Sequence, residues 1–206
     1  MSKVNKEKII AALLTLSSEC GLSRVSMSMV ADKAGIKKPS LYNHFASKEE
    51  LVESAYRYLR ERAKEQNDSL APDFTALFAK HTAAEILQKL VGSYIRMNEQ
   101  EEIRAFYKII YSERCFNKTA AKIMTEETER MIAATTALFC DMNEKDVLRF
   151  SDAKTSALSF ALTVHGIMDY GEDKNYSESD NYEKRREILE EYIEWFCKEN
   201  STKEKR

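Results

Sequence analysis

Residues 26 to 51, SMSMVADKAGIKKPSLYNHFASKEEL, constrain the fold of this chain more than any other stretch. A glycine and a proline within five positions interrupt a helical pattern, which places a turn between two short helices. Gly35 can adopt a positive φ and end the first helix. The apolar face of that helix has i, i+3, i+4, i+7 spacing and consists of Met27, Val30, Ala31 and Ala34. The segment therefore predicts a helix-turn-helix.

The second short helix and its successor carry equally local signals. Pro39 suits a first helical turn, where its missing N–H costs nothing. Leu41 and Phe45 are four residues apart and face the core together. Ser47 with Glu50 forms a capping box that starts the next helix. Upstream, either Ser26 or Ser28 can cap the first short helix.

The outward-facing side chains of this segment suit a DNA major groove. A short helix enters that groove only if its outer face is small or polar, and an asparagine such as Asn43 can pair bidentately with adenine. Lysines neutralise phosphates, and Lys48 also lies at a helix N-terminus, which favours an anion. A plain three-helix scaffold with solvated lysines is the alternative interpretation. The predicted DNA-binding residues are Ser26, Ser28, Lys37, Lys38, Pro39, Ser40, Tyr42, Asn43, His44 and Lys48.

The same residues carry a family resemblance. The stretch from about residue 6 to 55 resembles the DNA-binding domain of the TetR family of bacterial transcriptional regulators. The strongest match is Leu41-Tyr42-x-His44-Phe45-x-x-Lys48-x-x-Leu51, which is similar to the recognition helix of the family and the start of its connecting helix. The resemblance covers about a quarter of the chain at its N-terminal end. One departure is Ser17-Ser18, where the family often has a bulky apolar residue.

Composition and charge extend this interpretation to the whole chain. Five Gly and two Pro in 206 residues indicate an all-α protein. Residues 1 to 66 carry 12 Lys and Arg against 8 Asp and Glu, whereas the other 140 carry 20 against 26. A basic head on an acidic body fits DNA binding at one end. We expect a helix-turn-helix DNA-binding domain over residues 1–50, a helical effector-binding and dimerisation domain over 51–200, and a disordered tail over 201–206.

Several other classes of protein lack support in the sequence. No nucleophile motif, phosphate-binding glycine loop or metal-binding histidine pair occurs, so we expect no enzyme, no metal and no cofactor. No apolar run has the length of a membrane span, and no signal peptide precedes the first helix, which predicts a cytoplasmic protein without a membrane partner. The four cysteines form no CxxC pair and are expected to be reduced packing thiols.

The last two predicted helices, over about residues 152–170 and 182–199, are apolar on more than one face. Such helices must be buried on more than one face, and a second copy of the chain most simply covers the extra face. Burial within one chain is the alternative. The family resemblance also implies a four-helix dimer interface from these helices. The predicted interface residues are Leu162, Gly166, Ile193 and Phe196.

The resemblance further implies a ligand chamber in the helical body. The expected function is a repressor that binds a palindromic operator in double-stranded DNA as a homodimer and is released by a small, mainly apolar effector. Control by a protein partner or by cysteine oxidation, and a helical adaptor, are the alternatives. The candidate chamber residues could equally be plain core. They are Tyr94, Phe106, Tyr107, Met124, Met131, Phe139, Phe160 and His165.

Overall fold

The structure, a computed structural model, describes residues 3–67, 74–178 and 183–202. These ranges contain ten α-helices and no strand, which confirms the all-α prediction. The helices are α1 Lys3–Cys20, α2 Met27–Lys33, α3 Lys38–Tyr42, α4 Lys48–Asn67, α5 Phe74–Lys80, α6 Ala83–Asn98, α7 Glu101–Glu113, α8 Lys118–Glu144, α9 Ala153–Glu178 and α10 Glu183–Glu199. A 3₁₀ turn, Leu22–Arg24, joins α1 to α2. None of the described helices is both long and apolar enough to cross a membrane.

The chain divides into two compact units. The first, called the head unit below, comprises residues 1–69 and 96–126, and the second, the body unit, comprises residues 70–95 and 127–206. Two of the three boundaries along the chain fall within helices, one in α6 and one in α8. The functional division that we predict near residue 50 is a separate matter and stays a prediction.

The core of the head unit is built from the predicted apolar faces. Val30 and Ala31 of α2 and Leu41 of α3 have no exposed surface, and Phe45 is 3% exposed. They pack with Ile9, Ile10 and Leu13 of α1, Leu51, Val52 and Leu59 of α4, and Ile103, Phe106 and Ile110 of α7. This apolar burial, at about 25 cal/mol per Å², is what holds helices as short as α2 and α3 in place.

The core of the body unit is aromatic. Phe139 of α8 has no exposed surface, and its ring centroid lies 4.5 Å from that of Phe150, 5.4 Å from Phe160 and 5.5 Å from Phe196. Stacked and tilted aromatic pairs at these distances add to the free energy of burial. The rings join α8, α9 and α10 into one cluster.

Two of the four predicted interface residues are buried within a single chain. Ile193 is 1% exposed and Phe196 is 6% exposed, and both belong to the core of the body unit within a single chain. They therefore leave little side-chain surface for a second copy, and their place in the interface stays a prediction. Leu162, at 46% exposed, and Gly166, also exposed, remain available for that interface.

Two predicted helix boundaries also differ from the structure. The polar run from Gly171 reads as a loop, but α9 continues to Glu178. The sequence also offers Asn98 as the cap of the helix that carries Ile103 and Phe106, but α7 begins after Gln100, whose side chain makes no capping hydrogen bond. The short helix α5 was not predicted. The predicted break over residues 67–73 and the disordered tail fall largely outside the described residues.

Candidate nucleic-acid interface

The turn between α2 and α3 has the geometry that its sequence predicts. Ser26 caps α2, because its Oγ accepts the backbone N–H of Met29 at 3.3 Å. Gly35 has φ 68°, a left-handed conformation that glycine adopts at little cost. The Ile36 N–H then returns to the Ala31 carbonyl at 3.0 Å, which closes the end of α2. The turn directs the chain into α3 without a strained non-glycine residue.

Helix α3 has one buried and one exposed face. Leu41 is fully buried, whereas Lys37, Lys38, Pro39, Ser40 and Asn43 are exposed and Tyr42 is 44% exposed. Pro39 lies in the first turn of the helix, as predicted. The exposed face thus offers two hydroxyls, an amide and two ammonium groups on a small, rigid element. Groups of this kind read base edges and neutralise phosphates.

The remaining predicted contacts lie around this face. Ser26 is exposed at the start of α2, and Ser28, two residues further on, is half-buried. His44 is half-buried beyond the end of α3. The Lys38 ammonium lies 6.0 Å from the centroid of the Tyr42 ring, a cation–π distance that orients both side chains on the exposed face.

The start of α4 is occupied by contacts within the chain. Lys48 Nζ donates to the carbonyls of Leu22 and Val25, each at 3.1 Å, and of Ser23 at 3.5 Å. An ammonium has three donors, so these three carbonyls take all of them. Lys48 therefore anchors the 3₁₀ turn, an internal role that the sequence did not predict.

The backbone N–H groups at the start of α4 also bond to side chains of the same chain. The Glu50 N–H donates to Ser47 Oγ at 3.2 Å, and Glu50 Oε2 accepts the Ala46 N–H at 2.7 Å. The predicted capping pair thus forms, with Ala46 as the reciprocal donor. The pKa of the Glu49 carboxyl is lowered, first by a hydrogen bond from its own backbone N–H and then by the Ser47 hydroxyl. Carboxylates and the Ser47 hydroxyl already occupy the N-terminus of α4, so few free N–H groups remain there to bind a phosphate.

Comparison with known proteins agrees with this geometry. Residues 9–55 match the family model described as bacterial regulatory proteins, tetR family. The HTH-type transcriptional repressor KstR2 of Mycolicibacterium smegmatis is 30% identical over 114 residues, which cover 52% of this chain and 48% of that protein. The solved structure of the flavonoid-responsive regulator FrrA superposes with a TM-score of 0.74 at 25% identity and covers 97% of this chain and 98% of that one. The N-terminal region of the chain, residues 9–55, therefore matches the TetR family.

A third relative matches the N-terminal region alone. The tetracycline repressor protein class D of Escherichia coli is 35% identical over 54 residues, 26% of this chain and 25% of that protein. The chain thus spans about half the length of the KstR2 relative and a quarter of this one. All three relatives are described as repressors or regulators and none as an enzyme.

The head unit contains one further contact that the sequence did not predict. Glu113, at the end of α7, is 9% exposed. Its Oε1 accepts the Ser23 N–H at 3.1 Å, and its Oε2 accepts the Ser23 hydroxyl. Glu113 follows Ile103, Phe106 and Ile110 on the apolar face of α7, so an acidic residue at a core position was the available signal.

The candidate chamber residues are divided between the two units. Phe106 and Met124 are core residues of the head unit, and Phe139 and Phe160 are core residues of the body unit. The other four, Tyr94, Tyr107, Met131 and His165, are half-buried. A half-open cleft of about 590 Å³ lies between α1, α4 and α7, and its walls include none of the eight. The assignment of a chamber to these residues stays a prediction.

The four cysteines of the chain are free thiols, and Cys115 is exposed. Burial raises the pKa of the Cys197 thiol to about 11, so little of it is thiolate at neutral pH. Over the described ranges no group of His, Cys, Asp and Glu side chains is arranged to hold a metal ion.

Proposed function

We propose that this chain is a transcription regulator that binds a palindromic DNA operator as a homodimer, with α3 of each copy in the major groove of one half-site. The observation that carries this proposal is the exposed polar face of α3, held rigidly by buried Leu41 and Phe45. Two-fold protein symmetry requires matching symmetry in the DNA, and the half-sites then lie about one helical turn apart.

Within this proposed interface, the side chains have different roles in DNA binding. Asn43 pairs with a base edge, and Ser40 donates or accepts beside it. Lys37 and Lys38 neutralise phosphates, and the Tyr42 hydroxyl donates to another. Ser26 and Ser28, at the start of α2, face the phosphate backbone, while Pro39 and His44 flank the reading face. Lys48 contributes through the 3₁₀ turn that it anchors.

A second copy is proposed to pack on α9 and α10 of the body unit. Leu158 and Leu162 on α9 are 42% and 46% exposed, and Trp195 on α10 is 57% exposed. A Cβ added at Gly166 would meet no described atom of the same chain within 4 Å, so another backbone can approach there. Contiguous exposed apolar side chains mark an interaction surface. Coverage by the same face of another copy gives a closed two-fold dimer.

Control is proposed to come from a small, mainly apolar effector that releases a repressor from its operator. Two relatives are described as repressors, and a third, which matches nearly the whole chain, is described as flavonoid-responsive. A ligand that prefers the conformation unable to bind DNA lowers DNA affinity by linkage. Cysteine oxidation is less favoured at Cys197, because its raised pKa disfavours the reactive thiolate.

Selection of duplexes from random DNA with the full chain tests the DNA-binding proposal. The wild-type protein should enrich a palindrome, and Asn43→Ala should bind that palindrome about 1–3 kcal/mol more weakly and relax preference at one base pair per half-site. Lys89→Ala, a change in the body unit, is the control and should bind as wild type. Enrichment of no sequence by the wild type would contradict the proposal.

A further inference from the structure

The 3₁₀ turn Leu22–Arg24 is held at both of its ends by charged side chains that lie far away in the sequence. Glu113 accepts the N–H and the hydroxyl of Ser23, and Lys48 donates to the carbonyls of Leu22, Ser23 and Val25. An anion thus faces the amide end of the turn and a cation its carbonyl end. This is the arrangement that backbone dipoles favour.

This turn leads directly into the proposed DNA interface. Val25 ends the turn, and the next residue, Ser26, caps α2. A shift of the turn therefore moves the first turn of α2, which carries Ser26 and Ser28. All of these residues belong to the head unit, as does Glu113 at the end of α7.

Glu113 is a poor choice if stability alone matters. A carboxylate that is 9% exposed loses most of its hydration, and two hydrogen bonds from Ser23 do little more than offset that loss. An apolar side chain would suit the face of α7 that already carries Phe106 and Ile110. The carboxylate instead fixes the orientation of Ser23, because both of its oxygens accept hydrogen bonds from that one residue.

We propose that Glu113 is a positioning residue for DNA binding, which fixes the 3₁₀ turn through Ser23 and thereby sets the first turn of α2 against the DNA. This inference rests on the proposed function. Through the same contact, a displacement of the end of α7 would shift the first turn of α2 and so change DNA affinity.

The test compares Glu113→Leu with Glu113→Gln in the full chain, with the palindrome enriched by the wild type as the probe. Leucine removes both contacts and keeps the bulk, so DNA affinity should fall about tenfold while the thermal midpoint stays level or rises. Glutamine can still accept the Ser23 N–H and pair with its hydroxyl, so it should bind within about twofold of wild type. Ser23→Thr keeps the hydroxyl and should also bind like wild type.

Two further variants separate positioning from general destabilisation. Ile109→Val, in the core one turn earlier on α7, should lower the thermal midpoint without the loss of affinity. The double variant Ser23→Ala with Glu113→Leu should bind no more weakly than Glu113→Leu alone, because both changes break the same contact. Wild-type affinity in Glu113→Leu, an equal loss in Glu113→Gln, or additive losses in the double variant would overturn the inference.

Hydrogen exchange in the free protein keeps this test independent of the DNA result. Glu113→Leu should raise amide exchange over residues 22–30, and Glu113→Gln should not. If the wild type enriches no palindrome, the proposed function fails, and the exchange data still decide whether Glu113 fixes the turn. Unchanged exchange over residues 22–30 in Glu113→Leu would overturn the inference.

Discussion

Ser17 shows how one residue can conflict with its surroundings. It lies near the end of α1, is 4% exposed, and its Oγ makes no hydrogen bond with any described residue. Burial of a hydroxyl without a partner costs free energy, because the water that it leaves is not replaced. The position is also the one at which the sequence departs from the TetR family pattern.

We expect Ser17→Ala to raise the free energy of unfolding by about 1 kcal/mol, because it removes the unpaired hydroxyl and improves helix propensity. Urea denaturation followed by circular dichroism measures the change. Ser18→Ala is the matched control, since Ser18 is exposed and its Oγ bonds the Thr15 carbonyl at 2.7 Å. Its effect should stay within about 0.5 kcal/mol. Equal effects of both variants would contradict this explanation.

Lys37 and Lys48, which lie on either side of α3, should differ in their effect on the salt dependence of DNA binding. Lys37→Ala removes an exposed charge and should weaken DNA binding at low salt while flattening the salt slope by about one unit. Lys48→Ala should weaken binding with a nearly unchanged slope, because its donors are held by the carbonyls of Leu22, Ser23 and Val25. Fluorescence anisotropy titrations at salt concentrations from about 50 to about 300 mM measure the salt slope of each variant. A salt slope that is also flattened by about one unit in Lys48→Ala would show that Lys48 contacts a phosphate, contrary to this expectation.

At the scale of helices, the sequence predicts what short-range chemistry decides. Residue type and spacing also predict helix caps at Thr82 and Asn117. These two caps and those of Ser26 and Ser47 all form, because each needs partners within three or four residues. The end of α9 was predicted wrongly, because Gly171 and the polar residues after it are typical of a loop. That glycine instead serves a contact with α10, and tertiary packing of this kind leaves no local signal.

Gly171→Ala should destabilise the chain by about 1–2 kcal/mol despite the better helix propensity of alanine. A Cβ there would lie 2.5 Å from Arg185 Cδ and 3.0 Å from Arg185 Cβ. Arg185 is 7% exposed and pairs with Glu172 at 3.5 Å, so its stem cannot swing into solvent freely. Thermal denaturation of the single variants and of Gly171→Ala with Arg185→Ala gives their coupling. Strictly additive effects would show that the close approach is not the cause.

At the scale of the whole molecule, the sequence predicted the all-α class and the exposed polar face of α3, but not the contacts between segments that are distant in the chain. Ser23 and Glu113 are 90 residues apart, and Lys48 reaches back to the turn before α2. Pairings of this kind depend on how helices pack, which periodicity alone does not fix. The burial of Ile193 and Phe196 escaped prediction for the same reason, since an apolar stripe does not reveal which helix covers it.

The proposed dimer should depend on the exposed side of α9. Sedimentation should give a wild-type species near twice the 23.8 kDa chain mass. Gly166→Leu should shift it toward the monomer, because a large side chain holds apart helices that approach closely, while helicity stays unchanged because no described atom of the same chain lies within 4 Å of that Cβ. A wild-type monomer at micromolar concentration would contradict the dimer.

The stoichiometry of the DNA complex tests the central claim most directly. Sedimentation or native mass spectrometry of the wild-type protein, mixed with the duplex that it enriches from random DNA, gives the number of chains per duplex. The proposed function predicts two chains of 23.8 kDa on one palindromic duplex, with binding lost when either half-site is scrambled. One chain bound to an asymmetric site, or equal affinity for scrambled duplexes at physiological salt, would contradict it.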